Sequence, residues 1–140
     1  MQRVFVAEFR ANPKIVPPDV TKVLFCNMDA ILALHQHFFM SLERLIQFWD
    51  SDETAIGPLF LQVQPQLPPP YSLYVNNYNE AMGALDKVLQ HKDGASFIQG
   101  LLNKVDEKVR QNSMQAYLIL PVQRLPRYIL LLTDLIKHTS

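Results

Sequence analysis

Hydrophobic residues recur at intervals of three and four along most of the chain, which is the pattern of amphipathic α-helices. A first short helix is predicted over residues 3–11, and it ends at Asn12 because a residue that precedes proline avoids helical geometry. A long second helix is predicted over residues 19–49, with Asp19 favouring its N-terminus. One broad apolar stripe along this helix contains Val20, Val23, Leu24, Met28, Ile31, Leu32, His35, Phe38, Phe39, Leu42, Leu45, Ile46 and Trp49.

The second half of the chain also predicts helices, separated by polar or proline-rich breaks. Residues 51–54 form a polar break before a short helix through residues 59–61, and residues 65–70 are predicted as a loop because successive prolines cannot continue a helix. Further helices are predicted over residues 72–90, 96–104, 107–120 and 121–138, with a turn over residues 91–95. No segment alternates as a strand would, so the predicted fold class is all-α, an elongated helical bundle forming one domain over residues 1–140.

Composition and charge narrow the classes of partner. The chain has 140 residues, 49% of them apolar, and a formal net charge of zero, so nothing pulls it globally toward nucleic acid. Residues 87–140 nevertheless hold 8 basic and 4 acidic side chains, which favours an acidic or carbonyl-rich partner there. No apolar run approaches the ~20 residues of a membrane span. A single cysteine, Cys26, excludes a disulfide framework and favours a cytoplasmic location.

Residues that carry chemistry are sparse. The four histidines lack metal-ligand spacing, and no phosphate-binding or nucleophile motif occurs, so we expect no metal, no cofactor and no bond-making enzyme. Cys26 follows Leu24 and Phe25 in an apolar helix, where inert packing is expected; nucleophilic catalysis by Cys26 is the alternative. His35 lies on the apolar stripe and is expected to be a hydrogen-bonded core or edge residue.

Two short linear motifs lie in the proline-rich segment. Pro65-x-x-Pro68 matches an SH3-ligand core, and residues 68–71 (PPPY) match a WW-ligand pattern. The alternative is a stiff loop that leads into a helix.

Three stretches resemble a known family. Residues 117–139 (YLILPVQRLPRYILLLTDLIKHT) resemble the third conserved region of the Dbl-homology domain of Rho guanine nucleotide exchange factors. Residues 71–81 (YSLYVNNYNEA) resemble the second conserved region, and residues 24–31 (LFCNMDAI), followed by Leu34 and His35, resemble the opening of the family's second long helix. The matches occur in family order and span most of the chain.

The resemblance implies a function in Rho signalling and in control of the cytoskeleton. A domain of this family binds a Rho-family small GTPase through switch 1 and switch 2, disturbs the magnesium site and expels the bound nucleotide. It breaks no bond and needs no cofactor of its own, because the magnesium belongs to the GTPase.

The resemblance also assigns roles to residues. The expected GTPase-binding residues are Gln123, Pro126, Arg127, Leu130, Leu131 and Asp134. The expected structural residues are Tyr71, Tyr74, Asn77, Ala81, Pro121, Arg124 and Tyr128, with a buried, hydrogen-bonded helix contact at Tyr71, Tyr74, Asn77 and Ala81. Arg124 is expected to neutralise a buried carboxylate, because a packing helix has no other use for a second arginine beside a leucine triplet.

The sequence departs from the family pattern in three places. Alignment on Phe9 places the family's switch-contacting glutamate before Met1, and Glu8 is too late to replace it. The family's long final helix would follow Ser140, and Pro126 is an unusual residue that could tilt Arg127. No pleckstrin-homology domain is present, although one usually follows in the family and flanking domains can recruit such proteins to membranes.

These departures leave alternatives open. The chain could be a weak or inactive exchange module, or a helical scaffold that keeps the fold without the activity. It could also form a homodimer, for example by swapping, that covers the apolar surface the absent helices would bury. The sequence does not distinguish which Rho-family member is bound.

Overall fold

The structure is a computed structural model that describes residues 2–50, 53–105 and 107–139. Throughout these residues the regular structure is helical and contains no strand, which confirms the predicted all-α class. The helices are α1 Gln2–Ala11, α2 Pro18–Leu24, α3 Met28–Gln47, α4 Gly57–Val63, α5 Pro68–Gln90, α6 Lys92–Asn103, α7 Met114–Leu118 and α8 Leu120–Lys137. Short 3-10 turns occur at Gln64–Gln66 and Glu107–Val109. No helix in this part of the chain combines the length and hydropathy that crossing a bilayer requires.

The prediction of one helix over residues 19–49 is wrong, because the chain breaks between α2 and α3. Asn27 adopts a left-handed backbone conformation with φ of 55°, and its side-chain Nδ2 donates a hydrogen bond of 2.9 Å to the Pro70 carbonyl oxygen. Asparagine is one of the few residues that visit this conformation readily. The apolar spacing continues through the break, so periodicity alone does not reveal it.

The predicted loop over residues 65–70 is also wrong, because helix α5 begins at Pro68. The first backbone N–H groups of a helix have no partner within it, so prolines in the first turn cost no hydrogen bond. Leu67, with φ of −71° and ψ of −46°, is helical even though it precedes a proline. Neither the SH3-ligand nor the WW-ligand pattern is presented in the extended form that its recognition requires.

Two further boundaries differ from the sequence prediction. Residues 92–95, predicted as part of a turn, form the first turn of α6. The predicted helix over residues 107–120 is reduced to a 3-10 turn and the short helix α7, which Ser113 caps by accepting a 3.2 Å hydrogen bond from the Ala116 N–H. Only Ile119 separates α7 from α8, and Pro121 lies in the first turn of α8, whereas Pro126 lies inside it.

The chain packs as two compact units, and the first comprises residues 1–25 and 78–140. Phe9 is fully buried at its centre, with ring centroids 5.1 Å from Phe25 and 5.3 Å from Phe97. The rings of Phe5 and Tyr117 pack at a tilt of 57°, with their centroids 5.1 Å apart. Buried aliphatic side chains surround these rings: Val16, Leu24, Leu85, Val88, Ile98, Leu101, Leu102 and Leu118.

The second unit comprises residues 26–77 and has a smaller core. Phe38 packs edge-on against Phe60 with a centroid distance of 5.0 Å. Its other buried side chains are Met28, Ile31, Val63, Tyr71 and Tyr74. The C-terminal half of α3 and its neighbours expose large apolar side chains to solvent: Phe39, Met40, Ile46, Phe48, Trp49 and Leu61.

Candidate functional site

Helix α8 carries all of the residues that the sequence assigns to a partner surface. Its 18 residues place no side chain fully in the core. After Leu120, its half-buried side chains lie on one face: Pro121, Val122, Leu125, Tyr128 and Leu132. A helix turns by about 100° per residue, so the opposite face is the one that solvent reaches. α8 is therefore an amphipathic helix at the surface of the first unit.

The exposed face of α8 holds the predicted partner residues together. Gln123, Arg127, Leu130 and Asp134 follow one another at spacings of four, three and four, which places them in one line. Leu131 adjoins this line and Pro126 borders it. We call these six residues the α8 stripe: Gln123, Pro126, Arg127, Leu130, Leu131 and Asp134.

Two large apolar side chains lie at the centre of the α8 stripe. Leu130 is 68% exposed and Leu131 is 63% exposed. Leucines that are open to solvent between charged neighbours are costly unless a partner covers them. The stripe thus has the composition of an interface centre with a polar rim.

Hydrogen bonds within the helix orient the polar part of the stripe. Arg127 Nη2 donates to Gln123 Oε1 at 3.2 Å, so the amide fixes one edge of the guanidinium one turn away. Arg127 is exposed, so the other donors of its guanidinium are accessible to carboxylate or carbonyl oxygens of a partner. Pro126 does not prevent this arrangement, because the helix continues through it.

In the structure, His138 extends the line of polar residues in the α8 stripe, although it was not among the predicted partner residues. His138 Nδ1 lies 2.8 Å from the Asp134 carbonyl oxygen and 3.8 Å from its carboxylate Oδ1. Both side chains are more than 70% exposed, so the pair contributes little stability. The four-residue spacing from Asp134 is the sequence signal that points to His138.

The prediction that Arg124 neutralises a buried carboxylate is wrong. Arg124 is exposed, and its guanidinium carbon lies 5.9 Å from the centre of the Tyr128 ring, a cation–π contact. The carboxylates of the described residues are exposed or half-buried. Burial raises the pKa of the half-buried Tyr128 hydroxyl above its usual value, and the nearby positive charge of Arg124 opposes that rise.

Most of the predicted structural residues on α5 have buried side chains. Tyr71 and Tyr74 are both 97% buried in the second unit, and Asn77 is half-buried. The Tyr71 hydroxyl lies 2.6 Å from His35 Nε2, which gives the expected hydrogen-bonded contact and confirms His35 as a satisfied edge residue. Ala81 is buried in the first unit.

The other residues with reactive side chains do not come together in a single site among the described residues. Cys26 is a half-buried free thiol. Glu8 is half-buried and pairs with Lys104 at 3.3 Å, so its carboxylate is engaged within the first unit. Among the residues that the structure describes, no cluster of three or more histidine, cysteine or carboxylate side chains could hold a metal ion.

The RhoGEF domain family model matches residues 1–140, the whole chain. The chain belongs to the RhoGEF domain family. This RhoGEF domain is 25% identical over 139 residues to Rho guanine nucleotide exchange factor 37 of Homo sapiens, which covers 99% of the chain and 21% of that protein. It is 31% identical over 131 residues to human Rho guanine nucleotide exchange factor 10, covering 92% of the chain and 9% of that protein.

A more distant organism provides a third relative of the RhoGEF domain. Guanine exchange factor for Rac 30 of Dictyostelium discoideum is 34% identical over 110 residues, which cover 76% of the chain and 6% of that protein. The chain thus spans about a fifth or less of the length of these relatives. The names of all three relatives describe exchange factors.

Proposed function

We propose that the chain binds a small GTPase of the Rho and Rac class and promotes release of its bound nucleotide. The observation that carries this proposal is the α8 stripe, in which two exposed leucines and an exposed arginine share one face of a helix of a RhoGEF domain. Leu130 and Leu131 supply apolar contact area, and Arg127 supplies a rigid charged donor, the residue type that most often dominates binding energy at interfaces.

Nucleotide release follows from linkage and requires no bond to be made or broken by the chain. A protein that binds the empty GTPase more tightly than the loaded one must lower the nucleotide's affinity by the same factor. The α8 stripe supports such a role because its side chains are suited to binding a protein surface and do not form a catalytic arrangement. We further propose that the chain acts without a cofactor of its own and in the cytoplasm.

The test is the release of a fluorescent nucleotide from a panel of Rho-family GTPases in the presence of the 140-residue chain. Arg127→Glu removes the donor and introduces repulsion toward an acidic partner, so we expect a loss of about 2 kcal/mol or more, roughly 30-fold in acceleration. Arg124→Glu is the matched control, since it reverses a charge on the same helix but outside the stripe.

Equal loss in both variants would show that the charge of α8, and not the stripe, drives the effect. No acceleration by the wild-type chain, with GTPase binding retained, would refute exchange activity in favour of a helical interaction module. Binding that is unaffected by Arg127→Glu would contradict the assignment of the α8 stripe. Self-association, the other expected interaction, is proposed here only as an alternative and is measured by the oligomeric state of the chain without a GTPase.

A further inference from the structure

A cavity of about 410 Å³ lies within the first unit. Its described lining residues come from the connection between α1 and α2, the start of α2, the end of α5 and the start of α6, and none belongs to α8. Apolar side chains form the walls: Ile15, Pro17, Val20, Ala84 and Val88. Cavities of roughly 300–1,000 Å³ with mostly apolar walls are the usual sites of small ligands.

The main chain on both sides of the cavity is held by the core of the first unit. Val16 is fully buried, and its N–H donates a 3.1 Å hydrogen bond to the Asn12 carbonyl oxygen, which fixes the connection between α1 and α2. On the other side, Val88 and Gly94 are both buried where α6 approaches α5. Because both walls are set by packing inside the unit, the cavity is preformed in the free chain.

Basic side chains surround the mouth of the cavity. Lys14 reaches it from the connection between α1 and α2, whereas Lys87 and His91 reach it from the end of α5, and all three are exposed. Asp93 is the single acidic side chain among the described lining residues. Neither lysine forms an ion pair within the part of the chain that the structure describes. The mouth therefore favours an anion, and the walls favour an apolar body.

We propose that this cavity binds a small soluble amphiphile, an apolar molecule that carries one phosphate or carboxylate group. The apolar body covers Ile15, which is 37% exposed in the free chain, and the anionic group pairs with Lys14 and Lys87. A flat membrane fits less well, because attraction to anionic lipids takes clusters of roughly 4–8 basic residues. The site uses no residue of the α8 stripe, so the proposal does not depend on exchange activity.

The test is a titration of the ¹⁵N-labelled 140-residue chain with decyl phosphate, kept below its micelle concentration and followed by amide chemical shifts. The chain has four glycines, whose amide signals are well separated from the others. Gly94 lines the cavity, whereas Gly100 lies on the same helix outside it. We expect a saturable shift of the Gly94 amide signal, with the Gly100 signal unchanged.

Charge variants at the mouth test the anionic contact. Lys14→Glu and Lys87→Glu should each raise the dissociation constant of decyl phosphate roughly fivefold or more, because each replaces an attraction by a repulsion. Lys22→Glu is the matched control, since it makes the same change at an exposed position in the first unit that does not line the cavity. Asp93→Asn removes the opposing charge and should lower the dissociation constant roughly twofold. All four side chains are exposed, so circular dichroism should show unchanged helix content.

Each half of the proposed ligand has its own control. Decanol that binds as tightly as decyl phosphate would overturn the role of the basic mouth, and inorganic phosphate that binds as tightly would overturn the role of the apolar walls. An unmoved Gly94 signal, or equal weakening by Lys22→Glu, would refute the site. Chain that binds vesicles of phosphatidylcholine and phosphatidic acid through Lys14 and Lys87, without a Gly94 response to decyl phosphate, would overturn the proposal in favour of a membrane surface.

Discussion

At the residue scale, Tyr71 shows a side chain that belongs to a peptide motif by sequence and to the core by structure. Its ring is buried in the second unit, and its hydroxyl contacts His35 Nε2. One of these two groups must donate the shared hydrogen and the other accept it. The pair therefore ties α5 to α3 through a polar bond at the edge of an apolar core.

Removing that hydroxyl should cost stability. Tyr71→Phe keeps the ring and deletes one partner of the bond, so we expect the free energy of unfolding to fall by about 1 kcal/mol. Tyr78→Phe is the matched control, because Tyr78 is half-buried and its hydroxyl makes no hydrogen bond within the described residues. Urea denaturation of both variants measures the difference, and equal losses would deny the His35 bond a role.

Tyr128 should make stability depend on pH in the alkaline range. Burial raises the pKa of its hydroxyl in the folded chain, so the folded state holds this proton more firmly than the unfolded state. The contribution is fully present below the unfolded pKa of about 10 and is lost as pH rises through the folded value. The loss of stability on raising pH should be smaller in Tyr128→Phe.

The effect of Arg124 on the pKa of Tyr128 can be measured separately. Its positive charge lowers the Tyr128 pKa, so Arg124→Gln should raise it further. Absorbance of the tyrosinate form, followed during a titration, should show one of the five tyrosines moving to higher pH in this variant. No movement would mean that the cation–π contact at 5.9 Å does not persist in solution.

At the scale of the helix, α6 offers two glycines in opposite surroundings. A Cβ on Gly94 would meet the Val88 carbonyl oxygen and lie 2.8 Å from Val88 Cγ1, closer than real contacts permit. A Cβ on Gly100 would meet nothing within 4 Å. Gly94 therefore allows the first turn of α6 to approach the end of α5, whereas Gly100 has no such function.

Alanine substitutions at these two glycines should act in opposite directions. Gly94→Ala forces backbone atoms apart and should destabilise the chain by roughly 1–3 kcal/mol. Gly100→Ala removes flexibility from a helix interior and should stabilise it by roughly 0.5–1 kcal/mol. Thermal unfolding monitored by circular dichroism compares the variants, and a stabilising Gly94→Ala would refute the close approach of α5 and α6.

Apolar periodicity predicted some helix boundaries correctly and missed others. Periodicity identified α1, α4, most of α5 and α8, because apolar spacing reports which face is buried. It failed at Asn27, where a left-handed residue interrupts an unbroken apolar pattern. It failed at Gly94 and Pro68 because each was read as a helix breaker, whereas a close approach and a first-turn position make them part of a helix.

At the scale of the whole molecule, the sequence predicted the class of the fold and the helix that carries the site better than it predicted local contacts. The residues of the α8 stripe could be named in advance from the family resemblance, and helical spacing explains why the structure brings them to one face. The contact made by Arg124 could not be predicted, because an arginine suits both a cation–π contact and a buried ion pair. The exposure of Ile129 and Ile136 also needed the structure, since a sequence pattern shows which residues share a face and not whether anything covers it.

The large apolar side chains left in solvent are distributed over both compact units. In the first unit most of them lie on α8. In the second unit most lie in the second half of α3 and directly after it, and the others lie on α4 and α5. Exposed apolar side chains combined with a net charge of zero favour association between protein molecules. Control of protein concentration is therefore part of any measurement of exchange.

The prolines at the start of α5 have a consequence for when their peptide motif can be recognised. Residues 68–71 are wound into a helix, and Tyr71 is sealed inside, so a WW domain finds no ligand in the native chain. Once the second unit melts, the same four residues become an accessible extended peptide. Recognition of this motif would therefore report on the unfolding of the second unit.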